Sequence, residues 1–276
     1  MPDTPNDVED VFLNFLGDNP KTPKQIRTQM TKKLAKDQQS AKAYAARAWA
    51  HCELDEYDEA IEDASRAIEL CPQAYLPWFI RGTCHWRLDA PVQAEADLSE
   101  AIRLADSVRL WLEVMYRSRG GIRCNANRFD EAIDDLNHCV KHDPNDAWGF
   151  AFRGNAYCGK QNYRQAFKDY TKALSFDDSD PYVIGLMAWF LATCPEAKFR
   201  DGKRALELAQ AANELSDDDD LDKLAAAYAE LGDSKSAVKA QKRAIKKNTD
   251  PEDLPRLRAC LKNYESEQPY HRLWED

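Results

Sequence analysis

A period of 34 residues constrains the fold of this chain more than any other feature of its sequence. Residues 41–74 read AKAYAARAWAHCELDEYDEAIEDASRAIELCPQA, in which a short polar turn separates two helical patterns. Small residues stand at positions 8 and 20 of this segment, Ala48 and Ala60, and Pro72 stands near its end. This spacing predicts two antiparallel helices that approach closely and a stop after the second. Because one such pair cannot bury its own apolar face, the period predicts a stack of pairs.

The small residues recur in register further along the chain. Gly82 follows Ala48 by 34 residues and Gly154 follows Gly120 by 34, whereas Gly82 and Gly120 are 38 apart, so four extra residues are expected near 106–112. We divide residues 41–251 into six repeats, with about five extra residues in the loop of the fifth. The repeats span 41–74, 75–107, 113–146, 147–180, 181–217 and 218–251. No segment has the two-residue alternation of a strand, so an all-α fold is predicted.

The two ends of the chain depart from the period, as capping segments of a repeat array do. Residues 1–40 are predicted to form two capping helices, with a degenerate repeat as the alternative. Residues 252–276 are predicted to form a capping helix and a tail whose Trp274 docks on the array. The initial Met and the two caps favour a free-standing chain.

Composition and charge argue against several classes of protein. The net charge of −10 disfavours non-specific binding to nucleic acid or to anionic membranes. No apolar run approaches the roughly 18 residues that span a bilayer, and the N-terminus lacks the pattern of a secretory signal, so no membrane partner is expected. The eight cysteines form no C-x-x-C pair. We interpret them as reduced thiols of a cytoplasmic protein, with a disulfide or zinc framework as the alternative.

The repeats resemble the tetratricopeptide repeat. That family places Trp, Leu, Gly and Tyr on its first helix and Ala, an aromatic residue, Ala and Pro on its second. The fourth repeat, FAFRGNAYCGKQNYRQAFKDYTKAL, is similar to bacterial members, in which Arg commonly replaces Leu before the Gly. The arginines at this place are Arg47, Arg81, Arg119 and Arg153. The resemblance covers about residues 41–251. It implies a right-handed α-α superhelix (solenoid) of antiparallel helix pairs, whose first helices line a concave groove that typically binds peptides.

The resemblance also implies that positions 2, 5, 9, 12 and 13 of each first helix line this groove. The peptide-binding residues predicted in this way are Lys42, Trp49, Phe79, Thr83, Trp86, Arg87, Arg117, Asn125, Trp148 and Asn155. Other residues at these positions are Cys52, Glu53, Leu76, Cys124, Cys158, Tyr182, Trp189, Asp219, Asp222 and Glu230. The aromatic and basic residues of the first four repeats predict an extended ligand with apolar anchors and some acidic character. In the alternative, the aromatic side chains pack against neighbouring helices and the groove binds nothing tightly.

No catalytic residue, metal site or cofactor is predicted, since the sequence holds no glycine-rich phosphate loop and no nucleophile elbow. His138 and His142 lie four residues apart, but no third ligand converges on them, so we interpret them as surface histidines. His51 and His85 are interpreted as substitutes in the core.

The leading hypothesis is a non-enzymatic scaffold or adaptor that binds a peptide segment of a protein partner. The alternative is a nucleic-acid-associated adaptor that uses the basic second helix of the sixth repeat, with Lys239, Lys242, Arg243, Lys246 and Lys247. An enzyme with a site in loop 195–202 is favoured least. Weak homo-oligomerisation through the ends of the array stays open.

Overall fold

The computed structural model of the protein describes residues 3–15, 21–105, 111–216, 221–248 and 250–271. Most of the insertion expected near 106–112, the acidic residues 217–220 and Trp274 lie outside these ranges. The described residues form fifteen α-helices and one short 3₁₀ turn, and no strand is found among them. The predicted all-α fold class is therefore confirmed.

The chain divides into two compact units, Met1–Ala126 and Asn127–Asp276. The helices of the first unit are α1 (Pro5–Phe15), α2 (Pro23–Leu34), α3 (Ala41–Cys52), α4 (Tyr57–Leu70), α5 (Tyr75–Arg87), α6 (Pro91–Ala105) and α7 (Leu112–Asn125). From α2 to α7 each helix packs against the next one. Helix α5 also contacts α3 and α7, so these three first helices form one row in the unit.

The second unit is built in the same way. Its helices are α8 (Phe129–His142), α9 (Ala147–Gly159), α10 (Tyr163–Phe176), α11 (Pro181–Thr193), α12 (Gly202–Leu215), α13 (Leu221–Glu230), α14 (Ser234–Lys247) and α15 (Leu254–Glu265), with the 3₁₀ turn at Ala197–Phe199. Successive helices again pack side by side. Helix α11 contacts α9 and α13, and α13 contacts α15, so the first helices form a row here as well.

Helix α1 contacts α3 and α5. Val8 is fully buried in a cluster that contains Ala41. Just before α1, the carboxylate of Asp3 accepts hydrogen bonds from the Ser40 hydroxyl and the Lys42 backbone N–H, both at 2.9 Å. Because the first N–H groups of a helix have no partner within it, this carboxylate stabilises the N-terminal end of α3.

Small residues allow the two helices of a pair to approach closely, as their spacing predicts. A Cβ atom added to Gly154 would lie 2.7 Å from Cε1 of Tyr170 on α10. At Gly82 it would lie 3.1 Å from Cγ of Leu98 on α6. On the second helix of the fourth repeat, Ala166 is fully buried. Larger side chains at these places would separate the helices.

An arginine and an aspartate sixteen residues later join the two helices of a repeat. Nε and Nη2 of the arginine donate to the two carboxylate oxygens at 2.6–2.9 Å. The pairs are Arg47–Asp63, Arg81–Asp97 and Arg153–Asp169, and each aspartate is only 5–6% exposed. Nη1 extends to the preceding repeat, for example from Arg153 to Asn137 at 2.9 Å. These bidentate pairs give a physical role to the arginines that replace the Leu of the family pattern.

The turn between the two helices of a repeat holds one residue in the left-handed conformation. The residues concerned are Asp55, Asp89, Asn127, Gln161 and Gly232, with φ between 54° and 79°. Only one of them is Gly, the residue that adopts this conformation without a steric penalty. The remaining four turns therefore carry backbone strain, to which Asp and Asn are better suited than Gln.

Candidate functional site

An apolar cavity opens between the first helices of the first unit. Its volume is about 310 Å³, and its lining comes from α3, α5 and the start of α7. The lining residues are Trp49, Cys52, Glu53, Phe79, Ile80, Thr83, Trp111 and Val114. The structure thus brings together three of the predicted peptide-binding residues, Trp49, Phe79 and Thr83. Such a volume is at the lower end of the range of ligand pockets and suits an apolar side chain.

The polar atoms of the cavity lining are few. The Thr83 hydroxyl donates to the Phe79 carbonyl at 2.9 Å and is therefore satisfied within its own helix. Cys52 is half-buried beside Cys84, and a hydrogen bond with the Cys84 thiol, more than the nearby Arg87, lowers the pKa of the Cys52 thiol. Glu53 is exposed at the end of α3. The cavity can therefore receive an apolar group, with charge available only at its edge.

The other predicted residues of the first unit lie apart from this cavity lining. Trp86 packs partly buried against a cluster that includes Leu98. Arg87 and Asn125 are exposed, whereas Lys42 and Arg117 are half-buried. The position rule therefore identified the centre of the candidate site, and also included residues outside it.

Two predicted residues of the second unit are engaged by other parts of that unit. The Trp148 ring stacks on Tyr182 with 4.6 Å between ring centroids and 3° between planes, and its Nε1 donates to Asp180 at 3.0 Å. The Asn155 amide oxygen accepts a hydrogen bond from the Tyr170 hydroxyl at 2.6 Å. For Trp148 this geometry matches the alternative in which an aromatic side chain packs against the next first helix.

Three groove positions hold buried side chains. Leu76, Cys124 and Cys158 are 1–3% exposed, so the prediction that they line an open groove is wrong. Leu76 and Cys158 belong to the hydrophobic clusters inside the helix pairs. All eight cysteines lie in the described part of the chain and are free thiols, and only Cys52 is not fully buried.

The chain's own C-terminal residues cover part of the row of first helices in the second unit. Tyr270 is 6% exposed and lies in a cluster with Ala225, Ala229 and Trp189. Nε2 of His271 lies 2.6 Å from the Glu230 carboxylate. Sequence reasoning placed Trp189 and Glu230 at groove positions, but it did not identify the segment that covers them.

The histidines and the basic helix show pairing rather than open sites. Nδ1 of His51 lies 2.6 Å from Glu56, and His138 and His142 are exposed. Within the described ranges, no group of three His, Cys, Asp or Glu residues is arranged to hold a metal ion. On α14, Nζ of Lys242 pairs with Glu265 at 2.8 Å. None of the described helices is long and apolar enough to cross a membrane.

The largest cavity of the second unit, about 980 Å³, lies between α10, α11 and α12 beside the 3₁₀ turn. Ile184, Met187 and Leu191 contribute apolar groups to its lining, and charged residues of both signs also contribute. In the adjoining loop, Arg200 donates to the Cys194 carbonyl at 2.9 Å. These contacts stabilise the extra loop of the fifth repeat, and the mixed lining indicates no single ligand chemistry.

Comparison with known proteins agrees with this geometry. Residues 41–74 match the family model of the tetratricopeptide repeat. The DnaJ homolog subfamily C member 7 homolog of Dictyostelium discoideum is 30% identical over 79 residues, which are 29% of this chain and only 15% of that protein. The chain therefore spans a small part of that relative.

Solved structures share the fold. PilF of Pseudomonas aeruginosa superposes with a TM-score of 0.61 at 15% identity, over 87% of this chain and 99% of that one. YrrB, a tetratricopeptide-repeat protein with an unusual peptide-binding site, superposes with a TM-score of 0.54 at 16% identity, over 68% and 93%. The chain is a tetratricopeptide-repeat protein.

Proposed function

We propose that this protein is a non-enzymatic scaffold that binds a peptide segment of a partner protein in the groove of its first unit. The observation that carries the proposal is the apolar cavity between α3, α5 and α7. Its position on the row of first helices is the one from which the family resemblance implies peptide binding. YrrB, whose fold is similar, has a peptide-binding site of its own.

The cavity suggests the chemistry of the ligand. A peptide side chain between Trp49 and Phe79 would bury apolar area at the centre of the interface, where aromatic residues contribute most to affinity. Arg87 is exposed at the end of α5 and is positioned to attract a carboxylate of the same peptide. We therefore propose an extended segment with one apolar anchor and a nearby acidic residue.

The nucleic-acid alternative depends on the positive charge of α14. The ion pair between Lys242 and Glu265 offsets part of this charge, which favours the peptide proposal. Retention on heparin that is lost with Lys242→Glu, Arg243→Glu and Lys246→Glu would support the alternative instead. The six-repeat division and a cytoplasmic location are further proposals, and both rest on the sequence.

A substitution that fills the cavity tests the peptide proposal. Thr83→Trp places an indole in the cavity, and Thr28→Trp on α2 is its matched control. Thr28 is exposed, and its hydroxyl donates to the carbonyl four residues earlier at 2.9 Å, as that of Thr83 does. Peptides are selected from a phage-displayed random library on the wild-type chain, and their affinities for both variants are measured by fluorescence polarisation.

We expect the selected peptides to share an apolar residue and to bind Thr28→Trp as they bind wild type. Their affinity for Thr83→Trp should fall at least about tenfold, which corresponds to roughly 1.4 kcal/mol. Equal affinity for the two variants, or no selected peptide at all, would contradict the proposal. The double variant Arg87→Glu, Arg117→Glu separately tests the acidic residue of the ligand, which is wrong if peptides bind it unchanged.

A further inference from the structure

The second unit contains a groove with charge opposite to that proposed for the ligand of the first. We name as the acidic groove the surface formed by Trp189 of α11 and by Asp222, Ala225, Ala229 and Glu230 of α13. The side chains of Asp222 and Glu230 are only 15–16% exposed, yet each carboxylate has a cationic partner. Two carboxylates beside an indole form a surface that is suited to an aromatic group flanked by cations.

The chain itself supplies such groups. From α15, Nη1 of Arg256 lies 3.0 Å from Asp222, and its guanidinium lies over the Trp189 ring at 5.3 Å from the centroid. Beyond α15, Tyr270 is almost completely buried, with its ring centroid 6.4 Å from that of Trp189. The next residue, His271, pairs with Glu230. An aromatic residue followed by a basic residue is thus the local pattern that the groove binds.

The position of the tail differs from that of an end cap. Helix α15 already covers the end of the array, because Cys260 and Tyr264 of this helix are buried with Ala237 and Ala240 of α14. The segment after α15 turns at Glu267, with φ of 57°, and its next residues reach Trp189 and Glu230. A cap requires only apolar cover, whereas this contact adds an ion pair with a carboxylate of low exposure.

We propose that the acidic groove is a second ligand site, for a partner segment in which an aromatic residue is followed by a basic one. Tyr270 and His271 fill this site in cis and compete with the partner. A tethered segment has an effective concentration of the order of millimolar, so it weakens a competing ligand in trans without preventing its binding. This site is independent of the function proposed for the first unit.

Full-length variants and a peptide of known sequence test the proposal. The released-tail variant carries Tyr270→Ala and His271→Ala, which remove the two tail side chains that contact the groove. The probe is a fluorescein-labelled peptide of residues 266–276, and the control peptide has alanine in place of Tyr270 and His271. Fluorescence polarisation measures binding, and circular dichroism compares helix content and melting temperature.

We expect the probe to bind the released-tail variant at least tenfold more tightly than wild type, and the control peptide to bind neither. Adding Glu230→Gln to the released-tail variant should abolish this gain, because the amide retains an acceptor for Arg200 but loses the charge. Adding Thr83→Trp should leave the affinity unchanged, which separates this site from the cavity of the first unit.

Several results would overturn the proposal. Equal affinity of the probe for wild type and the released-tail variant would show that the tail does not occupy a ligand site. Binding that survives Glu230→Gln would show that the carboxylate does not recognise the basic residue. Absence of probe binding to a released-tail variant with wild-type helix content would show that the tail contact is only structural.

Discussion

Replacing Arg153 by Leu tests whether the arginine–aspartate pairs stabilise the repeats. The substitution removes two hydrogen bonds to Asp169, at 2.7 and 2.9 Å, and one to Asn137 at 2.9 Å. It also removes the cation from its position over the Phe150 ring, 5.1 Å from the centroid. Leu is the family's usual residue at this place, so the new side chain fits the local packing.

The expected cost comes mainly from the carboxylate that remains. Asp169 is 6% exposed, so Arg153→Leu leaves a buried charge without its partner. Removing one partner of a buried ion pair destabilises a protein by about 3–5 kcal/mol. We expect Arg153→Leu to lower the free energy of unfolding by about 3 kcal/mol, because the apolar contacts of Leu offset part of the loss.

The compensating variant is present in the chain itself. In the sixth repeat, the positions equivalent to Arg153 and Asp169 hold Leu224 and Ala240, an apolar pair. The double variant Arg153→Leu, Asp169→Ala reproduces it, and its stability should lie within about 1 kcal/mol of wild type. The assay is urea unfolding of wild type, both single variants and the double variant, followed by far-ultraviolet circular dichroism. A double variant as unstable as Arg153→Leu alone would refute the reasoning.

Three further variants test the packing, the turns and the titration of the fold, each by thermal unfolding. Gly154→Ala should destabilise by about 1–3 kcal/mol, because its Cβ would lie 2.7 Å from the Tyr170 ring; an unchanged melting temperature would contradict the close approach. Gln161→Gly should stabilise by about 0.5–1 kcal/mol, because φ is 57° at this turn; a loss of stability would show that the turn is unstrained. Burial lowers the pKa of His85 below 6.5, so the unfolded chain is protonated first and stability falls as the pH drops through that value. The advantage of wild type over His85→Leu should therefore shrink from pH 8 to pH 5, and a growing advantage would reverse the assigned direction.

The periodic features of the fold could be predicted because they depend on spacing alone. Small residues 34 apart predicted close helix pairs, and the structure confirms the contact of Gly154 with Tyr170. Helix α4 ends at Leu70, two residues before Pro72, as expected for a residue that cannot continue a helix. The open choice for residues 1–40 could not be resolved in this way, because the contact of Val8 with Ala41 joins segments outside the period.

The candidate site was predicted in part, because equivalent positions of successive repeats lie next to each other. Trp49 and Phe79 meet at one cavity for this reason. The same adjacency stacks Trp148 on Tyr182, which are 34 residues apart and could have been recognised as neighbours. Whether neighbouring side chains leave a cavity or close it depends on their rotamers, and spacing alone does not determine these.

The arginine–aspartate pairs left a signal in the sequence that the position rule did not use. Arg47, Arg81 and Arg153 are each followed by Asp after sixteen residues, and the structure pairs all three. The contact between His271 and Glu230 left no such signal, since 41 residues separate them and neither recurs at the period. In a stack of similar helix pairs, the periodic residues maintain the fold. Recognition of one partner over another therefore has to come from residues that break the period, such as the tail on the acidic groove.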